Sequence, residues 1–108
     1  MFARTGNDDA DGMTTLHIDN TVHDYDTWKE AFDRYEAFRK ERGVRSYRIA
    51  RDATDPQRVF VDLDFDDAAA AIDFSGALQK IWATPLSQQQ MVRHVDPIVL
   101  DVVVRQTL

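Results

Sequence analysis

Two runs of alternating apolar and polar residues lie in the middle of the chain, within residues 44–65. A short cluster of sequence ATDPQ separates the two runs at residues 53–57. Alternation of this kind is typical of half-buried strands, and a break that contains Asp and Pro is typical of a turn. The pattern therefore predicts a β-hairpin at the centre of the fold.

The charged residues on either side of the turn predict the register of this hairpin. If Asp52 lies opposite Arg58, then Arg48 lies opposite Asp62, and this face combines polar, charged and apolar residues. Cross-strand pairs of opposite charge stabilise a sheet, and a slip of one residue would exchange the two faces. The other face is apolar and suited to packing against helices: it pairs Ile49 with Val61 and Tyr47 with Leu63.

The same two periodicities organise the rest of the chain. Residues 15–22 and 98–104 alternate with period two and predict a first and a last strand. Two intervening segments have helical spacing, each with an apolar stripe. The stripes consist of Trp28, Ala31, Phe32, Tyr35 and Phe38 in the first helix, and of Ala71, Phe74, Leu78, Ile81 and Trp82 in the second.

Local signals mark the ends of the predicted helices. Asp24 or Asp26 caps the first helix, and Gly43 ends it. The acidic pair at residues 66–67 caps the second helix. Residues 84–96 are polar, and we expect a loop there that includes a short helical stretch.

The order strand, helix, strand, strand, helix, strand predicts an α+β domain of ferredoxin-like βαββαβ topology. Right-handed crossovers give a four-stranded antiparallel sheet with both helices on one face. Residues 1–13 are polar and lack periodicity, so we predict a flexible N-terminal tail followed by one domain at residues 14–108.

Composition excludes several classes of function. The chain of 108 residues has a net charge of −6 and no basic cluster, which argues against binding to nucleic acid. It contains no cysteine and no apolar run of membrane-spanning length. We therefore expect a cytoplasmic protein without disulfides, Cys-ligated zinc or a membrane partner.

The sheet face opposite the predicted helices is too apolar for a solvated surface and too charged for a dry core. Such a mixture favours a face buried against a partner with paired charges. The alternative is a wet sheet face, which antiparallel sheets tolerate. By alternation this face carries His17, Asp19, Thr21, Ser46, Arg48, Ala50, Phe60, Asp62, Asp64, Val99, Asp101 and Val103.

Asn20 is the residue that departs most clearly from its local pattern. It falls on the apolar side of the first strand, between Ile18 and Val22. A buried amide without hydrogen-bond partners costs about 1–3 kcal/mol. Asn20 is therefore either directed at a ligand or satisfied by nearby backbone groups.

Local signatures along the chain also carry a family resemblance. They are Asp24-Tyr25-Asp26-x-Trp28 with Phe32, Gly43-Val44, Asp55-Pro56, Asp64-Phe65-Asp66, and Phe74 through Trp82 to Pro85. Together with the element order they resemble the dimeric α+β barrel superfamily, in its antibiotic biosynthesis monooxygenase-like branch. The resemblance covers residues 14–104. It implies a homodimer through face-to-face sheets and a small-molecule pocket between the helices and sheet of each subunit.

The resemblance implies a cofactor-independent monooxygenase or cyclase acting on an aromatic, polyketide-like substrate. Deprotonating a phenol and holding its anion for reaction with oxygen requires hydrogen-bonding groups and an aromatic wall. The catalytic candidates are Asn20, Tyr47, Trp82 and His94. The candidates for binding an apolar or aromatic ligand are Trp28, Phe32, Tyr35, Phe74 and Leu78.

Two alternatives stay open at this point. The haem-degrading branch of the superfamily uses an Asn, a Trp and a His in the order of Asn20, Trp82 and His94. Aligned on Trp82, however, Val92 falls near the position of the haem ligand, and His94 lies beyond it in a predicted loop. The other alternative is a non-catalytic binding or regulatory dimer. No motif predicts a resident metal.

Overall fold

The computed structural model describes residues 13–108, and the predicted tail lies outside this range except for Met13. Within these residues the chain forms five strands and four helices. Their bounds are β1 Thr14–Val22, α1 Tyr25–Arg34, α2 Glu36–Glu41, β2 Ser46–Asp52, β3 Asp55–Phe65, α3 Ala68–Trp82, α4 Pro85–Gln90, β4 Met91–His94 and β5 Ile98–Asp101.

One antiparallel sheet contains all five strands. Its order is β2-β3-β1, and β4 and β5 lie end to end along the free edge of β1. Strand β4 pairs with the second half of β1, and β5 pairs with the first half. The ferredoxin-like α+β fold is confirmed, but β4 is an additional strand within residues 84–96, where a loop was predicted. Pro97 lies between β4 and β5 and has no N–H to donate to a sheet ladder, which favours a break between the two strands.

The register of the central hairpin is confirmed from Ser46 opposite Asp64 to Arg51 opposite Val59. The predicted pairing of Asp52 with Arg58 is wrong, because the register shifts and places Asp52 opposite Asp55. The Asp52 carboxylate instead accepts hydrogen bonds from the backbone N–H and hydroxyl of Thr54 at 2.8 and 2.9 Å. This local turn shortens the loop to residues 53–54.

The first predicted helix is interrupted at Tyr35, whose backbone leaves the helical conformation with φ −98° and ψ 16°. Asp24 caps α1 by accepting a hydrogen bond from the N–H of Thr27, and Gly43 follows α2 with a positive φ of 95°. Asp67 caps α3 in the same way as Asp24 caps α1. The capping predictions are therefore confirmed, while the single helix is replaced by two.

The hydrophobic core lies between the helices and the inner face of the sheet. Every second residue of β1 and β3 is buried there, under α3. The core residues are Leu16, Ile18, Val22, Trp28, Val44, Val59, Val61, Leu63, Phe65, Ala71, Phe74 and Trp82. Within residues 13–108, no helix combines the length and apolar character needed to cross a bilayer.

The outer sheet face carries a network of ion pairs. Asp62 accepts hydrogen bonds from His17 at 2.6 Å and from Arg48 at 3.0 Å, and its side chain is 21% exposed in the single chain. Arg58 pairs with Asp19 at 2.8 Å. These pairs leave the outer face charged but internally compensated.

The predicted orientation of the last strand is wrong by one residue. Val99 lies opposite the buried Leu16 and therefore shares the helix-facing side, as does Asp101. The outer face receives Ile98 and Leu100 instead. A shift of one residue exchanges the two faces of a strand. Val103 lies beyond the end of β5 and is exposed.

We expect the Asp19–Arg58 pair to make stability depend on acid pH. The hydrogen bond from Arg58 lowers the pKa of Asp19. A pKa lower in the folded than in the unfolded chain stabilises the fold above the unfolded pKa, and the gain is lost as the pH falls through the folded pKa. Asp19→Asn should therefore be less stable at pH 7 and should lose less stability than the parent on acidification.

Urea denaturation of both proteins at neutral and acid pH measures this difference. The exposed Asp73→Asn on α3 is the control for the change in net charge. Identical pH dependence in the parent and in Asp19→Asn would contradict the expectation.

Candidate ligand-binding site

A partly open cavity of about 100 Å³ lies between the inner face of the sheet and the helices. Its polar residues are few and its lining is mainly aromatic and aliphatic. The lining consists of Ile18, Asn20, Trp28, Ala31, Phe32, Tyr35, Phe38, Arg39, Val61, Leu63, Phe74, Leu78, Ile81, Trp82, Ser87, Gln90 and Met91. Ligand sites in proteins typically combine an apolar lining with a few placed polar groups, as here.

Asn20 supplies a buried hydrogen-bond acceptor to this cavity. Asn20 is 3% exposed, and its side-chain oxygen Oδ1 has no hydrogen-bond partner among residues 13–108. The strand alternation of β1 directs it toward the helices together with Ile18 and Val22. Leaving a buried acceptor unpaired costs about 1–3 kcal/mol, so the fold gains nothing from this oxygen.

Aromatic side chains form the cavity wall on the helical side. Trp28 and Phe32 lie one helical turn apart on α1, with ring centroids separated by 5.1 Å. Trp82 is the last residue of α3. Phe74 on the same helix packs against Phe65, with ring centroids 5.6 Å apart. Flat rings can therefore be contacted by aromatic faces from two helices.

Arg39 is a functional candidate that was not predicted from the sequence. It is 4% exposed, and its guanidinium carbon lies 3.6 Å from the centre of the Phe32 ring and 5.0 Å from that of Tyr47. Its Nη1 donates to the carbonyl of Phe32 at 2.8 Å, and Nη2 donates to Glu36 at 3.1 Å. Its Nε has no partner among the described residues.

The apolar stripe of the first helix contained a signal for Arg39. Counting from Trp28, steps of four, three and four residues lead through Phe32 and Tyr35 to Arg39. These steps follow one face of a helix, so a charged residue there breaks the pattern as Asn20 does in β1.

Most of the predicted site residues meet in the cavity. Seven of them line it: Asn20, Trp28, Phe32, Tyr35, Phe74, Leu78 and Trp82. Tyr47 does not line this cavity. Its hydroxyl donates to Glu36 at 3.0 Å and its ring packs against Phe32 at 5.3 Å. Hydrogen bonds from Arg39 first and Tyr47 second lower the pKa of Glu36.

The prediction that His94 lies in a loop is wrong. His94 ends strand β4 opposite Asn20, and its ring centroid lies 4.6 Å from that of Trp82. It does not line the cavity, and the side chains of His94 and Val92 are exposed. Short strands such as β4 carry too few residues for alternation to reveal them.

The residues present do not fit a haem. Sites for ligands of drug size measure about 300–1,000 Å³, whereas this cavity measures about 100 Å³. The side chains of Val92 and His94, the two residues nearest the expected ligand position in sequence, do not reach it. Among residues 13–108, no group of three His, Cys, Asp or Glu side chains is placed to hold a metal ion.

Helix α4 covers one end of the cavity, a role that was not predicted from the sequence. Gln90 and Ser87 on this helix line the cavity, while Gln88 and Gln89 are exposed. The hydroxyl of Thr84 caps the helix by accepting a hydrogen bond from the N–H of Ser87 at 3.3 Å. Of the three consecutive glutamines at residues 88–90, the first two are therefore on the exposed surface and the third faces the cavity.

Comparison with known proteins gives structural but not sequence matches. No protein-family model matches the chain, and no curated protein matches it. A candidate antibiotic biosynthesis monooxygenase from Nitrosomonas europaea superimposes with a TM-score of 0.63 and 16% identity, over 83% of this chain and 89% of the other.

A second match is SnoaB, a cofactor-independent oxygenase from Streptomyces nogalater. It superimposes with a TM-score of 0.60 and 17% identity, over 90% of this chain and 97% of the other. A candidate antibiotic biosynthesis monooxygenase from Chloroflexus aurantiacus J-10-fl superimposes with a TM-score of 0.61 and 14% identity, over 88% of this chain and 97% of the other. The chain therefore shares the α+β fold of these antibiotic biosynthesis monooxygenase-like proteins, as its sequence predicted.

Proposed function

We propose that the cavity binds a small aromatic molecule and that the protein oxygenates it with molecular oxygen, without a cofactor. The observation that carries this proposal is the unpartnered Oδ1 of the buried Asn20 in an aromatic-lined cavity. Functional sites commonly break the local pattern of their element in this way. The likeness to SnoaB, an oxygenase named as cofactor-independent, supports the same chemistry.

The proposed reaction draws its electrons from the substrate. An ionised hydroxyarene is electron-rich enough to pass electrons to O₂, and the carbon that reacts is a methylene conjugated to that ring. The methylene becomes a carbonyl with one oxygen atom, and the other oxygen leaves as water with the two methylene hydrogens. The phenolic proton of the ionised hydroxyl passes to the solvent. Asn20 accepts a hydrogen bond from a second, neutral hydroxyl of the substrate and orients the ring, while Trp28 and Trp82 contact its faces.

The size of the cavity restricts the substrate. A volume of about 100 Å³ accommodates a single ring. A polycyclic molecule of polyketide type would therefore place its reacting ring beside Asn20 and extend through the open side.

Oxygen uptake by the purified protein tests this proposal. The probes are anthrone and phenols of one to three rings that carry a methylene on the ring, incubated in buffer with a chelator and without added cofactor. We expect uptake above the uncatalysed rate for at least one probe and a product that gains one oxygen and loses two hydrogens. Binding of these probes without any oxygen uptake would favour the non-catalytic binding protein and overturn the oxygenase.

The outer sheet face supports a homodimer as part of this proposal. It combines ion pairs such as His17–Asp62 with Phe60, which packs on His17 at a ring distance of 5.9 Å. Ile98 and Leu100 add exposed apolar surface to the same face. A face that combines internally paired charges with apolar surface suits an interface between two copies of the chain.

We expect light scattering at micromolar concentration to give twice the 12.4 kDa mass of the chain. Phe60→Asp should yield a folded monomer, because it adds a charge to the middle of the proposed interface. Ile72→Asp, on the exposed surface of α3, is the matched control and should remain dimeric. A monomeric parent would contradict the assembly.

A further inference from the structure

Arg39 lines the cavity at a position for which the sequence predicted no polar group. An arginine side chain has five N–H donors and no acceptor. Two of its nitrogens donate to Phe32 and Glu36, while Nε has no partner among residues 13–108. The residue is 96% buried and lines the cavity, so water has little access to this donor.

Two neighbouring aromatic rings hold the position of this guanidinium. The rings of Phe32 and Tyr47 lie on it at 3.6 and 5.0 Å. The hydrogen bonds to the Phe32 carbonyl and to Glu36 restrict its rotation further. A donor that is fixed before binding costs little entropy when a ligand accepts its hydrogen bond.

The charge around Arg39 is positive although the chain as a whole is acidic. Glu36 is its one carboxylate partner in the described structure, and that side chain is 55% exposed, so water screens the attraction. Lys40 and Arg45 line a second hollow together with Arg39 and Glu36, and Arg45 is paired with Asp66 at 2.6 Å. The cavity therefore faces a cation that is only partly compensated.

We infer that Arg39 binds an anionic oxygen carried by the aromatic ligand, through Nε–H and the charge of the guanidinium. The cavity then has two distinct polar ends: Asn20 accepts a hydrogen bond, and Arg39 donates one. The ligand class is an aromatic ring with a hydroxyl donor and an ionised oxygen, either a phenolate or a carboxylate. This inference rests on the proposed function for its aromatic ligand but not for the reaction with oxygen.

A set of single-ring probes of similar shape tests the inference by binding alone. The probes are 4-nitrophenol, 4-nitrobenzoate and the neutral 4-nitroanisole, and binding is followed by the fluorescence of Trp28 and Trp82. The phenolate form of 4-nitrophenol also absorbs visible light, which shows the ionisation state of the bound probe. We expect the parent to bind an anionic probe about tenfold to a hundredfold more tightly than 4-nitroanisole, the range for a hydrogen bond to a charged group.

Arg39→Met keeps the length and apolar stem of the side chain and removes its charge and donors. It should bind all three probes with equal affinity, and the bound 4-nitrophenol should lose its excess of phenolate. Arg34→Met is the control, because Arg34 is an exposed arginine paired with Glu30 on α1. The control should retain the preference for anions.

The outcomes separate this inference from the oxygenase proposal. Preference of the parent for 4-nitrobenzoate over 4-nitrophenolate assigns the anion to a carboxylate, and the reverse assigns it to a phenolate. An equal affinity of the parent for charged and neutral probes, or no binding of any probe, overturns the inference even if Arg39→Met fails to fold. Retained preference in Arg39→Met overturns it as well. A parent that prefers anions but consumes no oxygen refutes only the proposed reaction.

Discussion

Asn20→Leu is expected to abolish turnover while leaving the protein at least as stable as the parent. Leucine has a similar volume and removes the unpartnered Oδ1 from an apolar environment, so the free energy of unfolding should stay constant or rise by about 1 kcal/mol. The same change removes the acceptor that orients the substrate ring. Misplacing the substrate in an active site typically lowers the rate about 10²-fold.

Melting temperature, probe affinity and oxygen uptake of Asn20→Leu and the parent measure this prediction. Gln88→Leu is a suitable control, because it exchanges an exposed amide for leucine outside the cavity. It should leave all three quantities unchanged. A large loss of stability in Asn20→Leu would show that Asn20 anchors a buried network, and the assignment of Asn20 to the ligand site would then be abandoned.

Phe65→Ala is expected to cause the largest loss of stability in this chain. Phe65 is fully buried at the end of β3, and its ring lies 5.6 Å from that of Phe74 on α3. Truncating a buried Phe to Ala typically costs about 3–5 kcal/mol, because hydrophobic contacts are lost and a cavity remains. The free energy of unfolding of a domain is typically about 5–15 kcal/mol, so this one substitution should remove a large part of it.

Urea denaturation of Phe65→Ala should show a much lower midpoint than that of the parent. Ile72→Ala, at a position 60% exposed on the same helix that covers Phe65, is the matched control. Its unfolding free energy should change by less than about 0.5 kcal/mol, the usual range for surface substitutions. Similar losses in both variants would contradict the placement of the core between α3 and the sheet.

These variants distinguish the two roles of the helix–sheet layer. Phe65 lies on the closed side of the layer, where close packing stabilises the fold. Asn20 and Arg39 lie where the layer is open, and each contributes a polar atom that the described fold leaves unpaired. A protein under selection for stability alone would place apolar side chains at both positions.

The sequence by itself determined the fold class, most of the hairpin register and much of the cavity wall. Alternation in β1 and β3 directs every second side chain to the core, and the stripe of Trp28, Phe32 and Tyr35 places aromatics over it. These are local patterns, because the side-chain directions of strands and helices follow from backbone geometry alone. The same geometry made Asn20 detectable as a polar residue on an apolar face.

Tertiary structure decided how distant segments meet. The pairing of Arg58 with Asp19 at 2.8 Å joins residues 39 positions apart, and it is shorter than the contact of 4.0 Å with Asp52, the partner expected within the hairpin. The orientation of β5 depends on its register against β1. That register is set by the chain between the strands and is not visible in the alternation of β5 itself.

The lining of the cavity by Arg39 could not be predicted from the sequence alone, because the position of this side chain depends on a break in the first predicted helix. The interruption at Tyr35 lets the Arg39 guanidinium reach the carbonyl of Phe32, seven residues earlier, and pack against the rings of Phe32 and Tyr47. Tyr47 comes from β2, so only the assembled layer places it against Arg39 and away from the cavity. Periodicity places residues on a face, but close packing between elements decides which of them reach the same space.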